Sequence, residues 1–137
     1  KQTNSQKIQN KLRIKFIKSG VQMIGPETIF FLLVIKIEKI SYLTYVVIGP
    51  KVKIGNNVKI DSFCHIENCK IENKVNIGPY ARIRPGTILK SNSKIGNFVE
   101  VKKSVVGRKS KVNHLSYIGD SLIGSNVNVD DSKITYN

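Results

Sequence analysis

Three side chains suggest where this chain could do chemistry. Arg84 and Lys102 are 18 residues apart, and Tyr117 follows 15 residues later. A guanidinium that can bind two oxygens at once, an ammonium and a phenol brought into line would make a phosphate site. His114, three residues before Tyr117, adds an imidazole whose ordinary pKa suits a general base near neutral pH. Spacing alone equally allows solvated charge on a basic chain and an incidental surface histidine.

An 18-residue separation has meaning only if a regular scaffold sets it, and the sequence contains one. From Ile48 an aliphatic residue returns every six positions through Ile54, Ile60 and Ile66 to Val129 and Ile134, with the step shortened to five after Ile66, Val101, Ile118 and Val129. Ile, Leu and Val are 41 of the 137 residues, so sixteen consecutive hits do not follow from composition. A helix would need spacings of three and four, and a two-sided strand would need plain alternation. A hexad repeat predicts a parallel β-helix, in which each hexad gives one short strand and one corner and three hexads close a triangular coil. The fold class is therefore mainly β, a hexapeptide-repeat solenoid over 48–137.

The same ruler places the other positions. Four residues after each aliphatic one, a second inward slot should hold a small or β-branched residue, as at Val52, Cys64, Ala81, Thr87, Ser93, Val105 and Ser116, while Lys70 and Lys133 fall in five-residue steps. Seven of the ten glycines directly follow an aliphatic position, where a corner with positive φ is expected. Arg84 and Lys102 stack at one corner, about 4.8 Å apart along the axis, and Tyr117 borders it. Asn128 falls on another edge, so a site that includes it together with Arg84 and Lys102 would span two subunits.

Composition narrows the partners. A net charge of +14 favours anionic ones: phosphorylated sugars, coenzyme A, nucleic acid or an acidic membrane. The basic residues are dispersed, and the sequence reads as having no aromatic ladder and no arginine-rich tract, which argues against nucleic acid. Cys64 and Cys69 lack metal-ligand spacing, and Cys64 reads as a core thiol. With His65 and His114 as the only histidines, no metal site is expected.

Residues 1–19 predict an N-terminal helix with Ile8, Leu12 and Phe16 on one stripe and Gly20 at its end. Residues 20–47 read as an irregular linker and first strands. Lys36, Glu38 and Lys39 interrupt the apolar run from Ile29 to Ile48 and argue against a membrane span.

The segments GPYARIRPGTIL (78–89), KIGNFVEVK (94–102), KVNHLSYIGDS (111–121), IGSNVNV (123–129) and ITYN (134–137) closely resemble the C-terminal acetyltransferase domain of the bacterial bifunctional N-acetylglucosamine-1-phosphate uridyltransferase and glucosamine-1-phosphate N-acetyltransferase. GVQMIGPETIFF (20–31) resembles that family's join between its nucleotidyltransferase domain and its β-helix, which makes 1–19 the remnant of that domain. The resemblance implies a left-handed β-helix, a cytoplasmic homotrimer, and acetyl transfer from acetyl-CoA to glucosamine 1-phosphate on the route to UDP-N-acetylglucosamine and the peptidoglycan cell wall. It implies that Arg84, Lys102, Tyr117 and Asn128 hold the phosphosugar, that His114 is the base and that Asn137 belongs to an incomplete acetyl-CoA site.

The chain also departs from the family. Asp130, Asp131, Ser132 and Lys133 stand where the family has a small Gly-Ala-Gly-Thr stretch, adding bulk and negative charge beside the expected acetyl-CoA path. FLLVIKIEKISYLTY (31–45) breaks the hexad rhythm expected there. The sequence starts without Met and ends at Asn137, ahead of a further lysine and the later coils that the family uses. An acetyltransferase impaired as it stands is the expectation. The competing expectation is a non-catalytic solenoid that binds phosphosugars or joins mixed trimers with an intact relative.

Overall fold

The computed structural model describes residues 3–18, 29–30, 35–37, 40–43, 46–130 and 134–135. Helix α1 (Asn4–Lys18) begins at a reciprocal cap: the Gln6 amide donates to Thr3 Oγ1 at 3.2 Å, and the Thr3 amide donates to Gln6 Oε1 at 2.9 Å. Two N–H groups that the helix ladder cannot reach are thereby satisfied. Ile8 of the expected apolar stripe is exposed, while the Leu12 and Phe16 side chains, and Gly20, lie outside the described residues.

The strands are short because a corner follows almost every one. They run β1 (Ile29–Phe30), β2 (Ile35–Ile37), β3 (Ile40–Leu43), β4 (Val47–Ile48), β5 (Val52–Ile54), β6 (Val58–Ile60), β7 (His65–Ile66), β8 (Lys70–Ile71) and β9 (Asn76–Ile77). They continue as β10 (Arg82–Ile83), β11 (Ile88–Leu89), β12 (Lys94–Lys102), β13 (Val105–Val106), β14 (Lys111–Gly119), β15 (Leu122–Ile123), β16 (Asn128–Val129) and β17 (Ile134–Thr135). Every pairing is parallel, and three faces form a prism. Face 1 stacks β1, β4, β7 and β10 with the second halves of β12 and β14. Face 2 stacks β3, β6 and β9 with the first halves of those two long strands and then β16. Face 3 stacks β2, β5, β8, β11, β13 and β15.

The core is the hexad made solid. Ile48, Ile66, Ile83, Val101 and Ile118 form one fully buried column beneath face 1, and matching columns line the other two faces. Each such side chain contributes roughly 1.5–3 kcal/mol through the apolar area it removes from water. Cys64 and Cys69 are buried with free thiols. Burial raises Cys64 to about 11, a shift that the backbone hydrogen bond at Ala81 opposes and Asp61 reinforces. Burial, with Glu67 nearby, raises Cys69 to about 12.

Four details correct the reading from sequence. At the five-residue steps Cys69 and Ser104 take the small inward slot, leaving Lys70 exposed and Val105 only half-buried. The shortening removes a corner residue, so the slot moves one position earlier. Ile134 is 72% exposed and pairs with outward Tyr117, while Thr135 aligns with Ile118. Two five-residue steps in a single coil, after Ile118 and after Val129, slip the beat there.

The third detail is the location of the left-handed backbone. Among the seven glycines that follow an aliphatic residue only Gly78 has positive φ. The left-handed position instead lies immediately before the small inward residue, at Lys51, Asn57, Phe63, Asn68, Lys74 and Tyr80 and so on to Asn126. Gly96 answers a different need, because a Cβ there would collide with the Asn113 carbonyl oxygen of the next coil. The fourth detail is an aromatic ladder: Phe63, Tyr80 and Phe98 stack with ring centroids 4.9 and 5.2 Å apart.

Candidate functional site

The outward row of face 1 holds His65, Arg82, Glu100 and Tyr117 in register. Arg84 and Lys102 lie beyond it at the corner between faces 1 and 3. The Arg84 amide donates to the Val101 carbonyl at 2.8 Å, and Lys102 is in register with Gly119. Arg84, Lys102 and Gly119 therefore succeed one another up a single corner, as the 18-residue spacing predicts.

Tyr117 reaches the same corner by folding across Gly119. A Cβ at Gly119 would lie 2.6 Å from Tyr117 Cε1 and 2.8 Å from the phenol oxygen. The missing side chain is what gives the ring its place, so the hydroxyl sits one coil above Lys102 in the cationic stack.

Glu100, which the sequence reading passed over, organises the lower part of the site. Its Oε1 accepts from Arg84 Nη1 at 3.0 Å and lies 3.9 Å from Arg82 Nη1. Arg84 Nε is buried without a hydrogen-bond partner, an unsatisfied donor in the middle of the cluster. A signal was available: Glu100 is the in-register neighbour of Arg82 and Tyr117, the one acidic residue in that row.

His114 stands at the opposite edge of face 1, on the same long strand as Tyr117 and in register with Asn97. It is half-buried, and its carbonyl accepts from Ser116 Oγ at 2.8 Å. One face of one chain thus carries the anion corner and the imidazole.

Asn128 is not brought to them. It sits on face 2 in register with Lys111, where Asn113 Nδ2 donates to its Oδ1 at 2.8 Å and its own Nδ2 donates to Asp130 Oδ2 at 2.7 Å. Asn113 Nδ2 also donates to Asp130 Oδ1. Asp130, one of the departures from the family pattern, therefore occupies the Asn128 carboxamide. Asn137 and residues 131–133 lie outside the described residues. Among the described residues no cluster of His, Cys, Asp or Glu could hold a metal, and no helix is long and apolar enough to cross a membrane.

The chain is similar to several known proteins. The Bifunctional protein GlmU of Zymomonas mobilis is 45% identical over 130 residues, which are 94% of this chain and 29% of that protein. The Bifunctional protein GlmU of Cellvibrio japonicus is 60% identical over 85 residues, 62% of this chain and 19% of that protein. The chain thus spans under a third of the length of these curated relatives. In fold it is similar to the crystal structure of the H141A mutant of GDP-perosamine N-acetyl transferase from Caulobacter crescentus in complex with CoA and GDP-perosamine, with a TM-score of 0.72 and 18% identity over 88% of this chain and 61% of that one. Residues 65–135, more than half of the chain, match the family described as the GMPPB C-terminal domain, and the chain belongs to that family.

Proposed function

We propose that the chain is the acetyltransferase β-helix of a sugar-nucleotide enzyme, and that it transfers acetyl from acetyl-CoA to the amine of glucosamine 1-phosphate for UDP-N-acetylglucosamine synthesis. The observation that carries this reading is the stack of Arg84 and Lys102 with the Tyr117 phenol held over Gly119 above them. Two cations and a phenol suit a phosphate monoester, which Arg84 binds through two nitrogens and Lys102 as a point charge. The likeness to bifunctional GlmU proteins, and a fold neighbour that holds CoA and an amino-sugar nucleotide, support the substrate class.

In this reading the phosphate anchors the sugar on face 1. His114 takes a proton from the amine as its lone pair attacks the thioester carbonyl; the C–S bond then breaks, and coenzyme A leaves as the thiol. Anchoring the phosphate supplies the orientation that makes the attack effectively intramolecular. Asn128 joins the site in a cytoplasmic homotrimer, and Asn137 belongs to the acetyl-CoA side. The test is an acetyl-transfer assay with glucosamine 1-phosphate and acetyl-CoA. Turnover that His114→Ala reduces at least 100-fold supports the reading, and wild-type turnover no faster than the uncatalysed reaction counts against it.

Asp130 favours a second reading. Its hold on Asn128, and a carboxylate on the acetyl-CoA side, fit a solenoid that binds the phosphosugar without transferring acetyl. Sugar-phosphate binding without turnover would select it.

A further inference from the structure

We propose that the hollow where face 3 turns into face 2 is a second anion site, built for a phosphate monoester that also carries hydroxyl groups. It has a volume of about 370 Å³ and is lined by Lys53, Lys70, Glu72, Asn73, Ser91 and Arg108. The width of face 3 separates it from the Arg84 and Lys102 corner, and none of the residues assigned to acetyl transfer lines it.

Charge in this hollow is out of balance. Lys53 and Lys70 are in-register partners on β5 and β8, about 4.8 Å apart along the axis, and like charges directly opposite on neighbouring strands repel. Arg108 adds a cation from the same corner as Asn73, two coils further up. Among the described residues none of these three cations forms an ion pair. Glu72, the one carboxylate in the lining, is already engaged, since its Oε1 accepts from Lys90 Nζ at 3.1 Å. A phosphate dianion between Lys53 and Lys70 turns their repulsion into two charge-assisted contacts, and Arg108 offers a planar fork to the same ligand. Concave walls of low dielectric concentrate the attraction.

The polar wall of the hollow is fixed before any ligand arrives. Glu72 Oε2 accepts from the Ser91 amide at 3.0 Å and from Ser91 Oγ at 3.2 Å. Burial alone would push the Glu72 carboxyl up, but the hydrogen bonds from Ser91 and Lys90 outweigh it and hold the group below its ordinary value. It stays an acceptor, and Oε1 keeps a lone pair for a ligand hydroxyl.

Asn73 is fixed in the same way. Its Oδ1 accepts from the Asn56 amide at 2.7 Å, an approach that Gly55 permits because a Cβ there would collide with that oxygen. With the oxygen held, Nδ2 is the end of the carboxamide left to donate. Solvated surface charge needs no such locked acceptor and donor beside it. A ligand with both a phosphate and hydroxyl groups uses all of these features together.

The test is amide NMR of the isotope-labelled protein, titrated with glucose 6-phosphate and separately with inorganic phosphate, and read at Gly55 and Ser91. Saturable shifts at both amides are expected, with tighter binding of the sugar phosphate than of phosphate alone. Lys53→Ala/Lys70→Ala should raise the Kd read there roughly 10-fold or more, the loss expected for hydrogen bonds to a charged group. Lys94→Ala/Lys111→Ala removes another in-register lysine pair, on face 2, and should leave that Kd little changed. All four lysines are exposed, so the spectra should keep the dispersion of the folded protein. Shifts that grow linearly with ligand, equal affinity for the two probes, or equal losses in the two lysine pairs overturn the site. Glucosamine 1-phosphate, titrated in parallel and read at Gly119, tests the Arg84 corner separately, so the two sites stand or fall independently.

Discussion

Tyr117 lies across Gly119, in the space a side chain would need: a Cβ on Gly119 would stand 2.6 Å from the ring. The phenol reaches the Arg84 and Lys102 corner only because the corner position of its own coil is empty. Gly119→Ala should therefore push the ring out and lose one hydrogen bond to an anionic ligand, worth about 1.5–3 kcal/mol. The expected outcome is a Kd for glucosamine 1-phosphate raised at least 10-fold, close to the effect of Tyr117→Phe. The double variant should be no worse than either single one. Additive losses in the three variants would show that the glycine acts elsewhere.

Asp130 ties up both ends of the Asn128 carboxamide network. Asp130→Gly removes that carboxylate and restores the small residue of the family pattern. Acetyl transfer, or sugar-phosphate binding where transfer is absent, should rise several-fold, and Asn128→Ala in the same background should cancel the gain. No gain would mean that Asn128 takes no part in the site.

The two buried thiols predict a pH dependence of stability. Folding raises Cys64 to about 11 and Cys69 to about 12, against an ordinary 9.0. The unfolded chain therefore loses these protons first, and their contribution, complete below pH 9, declines as pH rises through 9 toward 11. Urea midpoints should fall between pH 8.5 and pH 10.5 (roughly the window these pKa values define), and the fall should be smaller in Cys64→Ala/Cys69→Ala. Equal slopes in both proteins would contradict the assignment.

Ser93 and Ser104 occupy equivalent small inward slots with opposite hydrogen-bond fates. Ser104 Oγ donates to the Lys102 carbonyl at 2.7 Å and accepts from the Ser121 amide at 3.0 Å, whereas Ser93 Oγ is buried without a partner. Ser104→Ala should cost about 1–3 kcal/mol by removing the hydroxyl that links the Lys102 carbonyl to the Ser121 amide. Ser93→Ala should leave stability unchanged or raise it, and chemical denaturation of the pair reads the difference directly.

The prism was legible in the sequence because one buried aliphatic residue per strand imposes its own period on the chain. Ile83 and Val101 located Arg84 and Lys102 on one corner before any coordinate did. Glu100 escaped because its role depends on register across three strands rather than on spacing along one. The fold-back of Tyr117 is a side-chain conformation that no periodicity encodes. Phe63, Tyr80 and Phe98 escaped for a different reason. Their left-handed backbone runs against residue preference, so reasoning from propensity put the positive φ on the glycines instead and read the aromatic residues as unrelated. Ile134 shows the limit of the ruler, since two shortened steps in one coil leave it exposed and out of register with the buried Ile118.

The central claim is that Arg84, Lys102 and Tyr117 form a phosphosugar site, and isothermal calorimetry of glucosamine 1-phosphate against wild type, Lys102→Ala and Lys103→Ala tests it most directly. Lys103 is adjacent, exposed and within 3.9 Å of Asp120, and it stacks over Gly86, so it matches the charge change without standing in the Arg84, Lys102 and Gly119 column. The account predicts saturable binding by the wild type, weakened at least 10-fold in Lys102→Ala and little changed in Lys103→Ala. Equal losses in the two variants, or no saturable binding by the wild type, would contradict it.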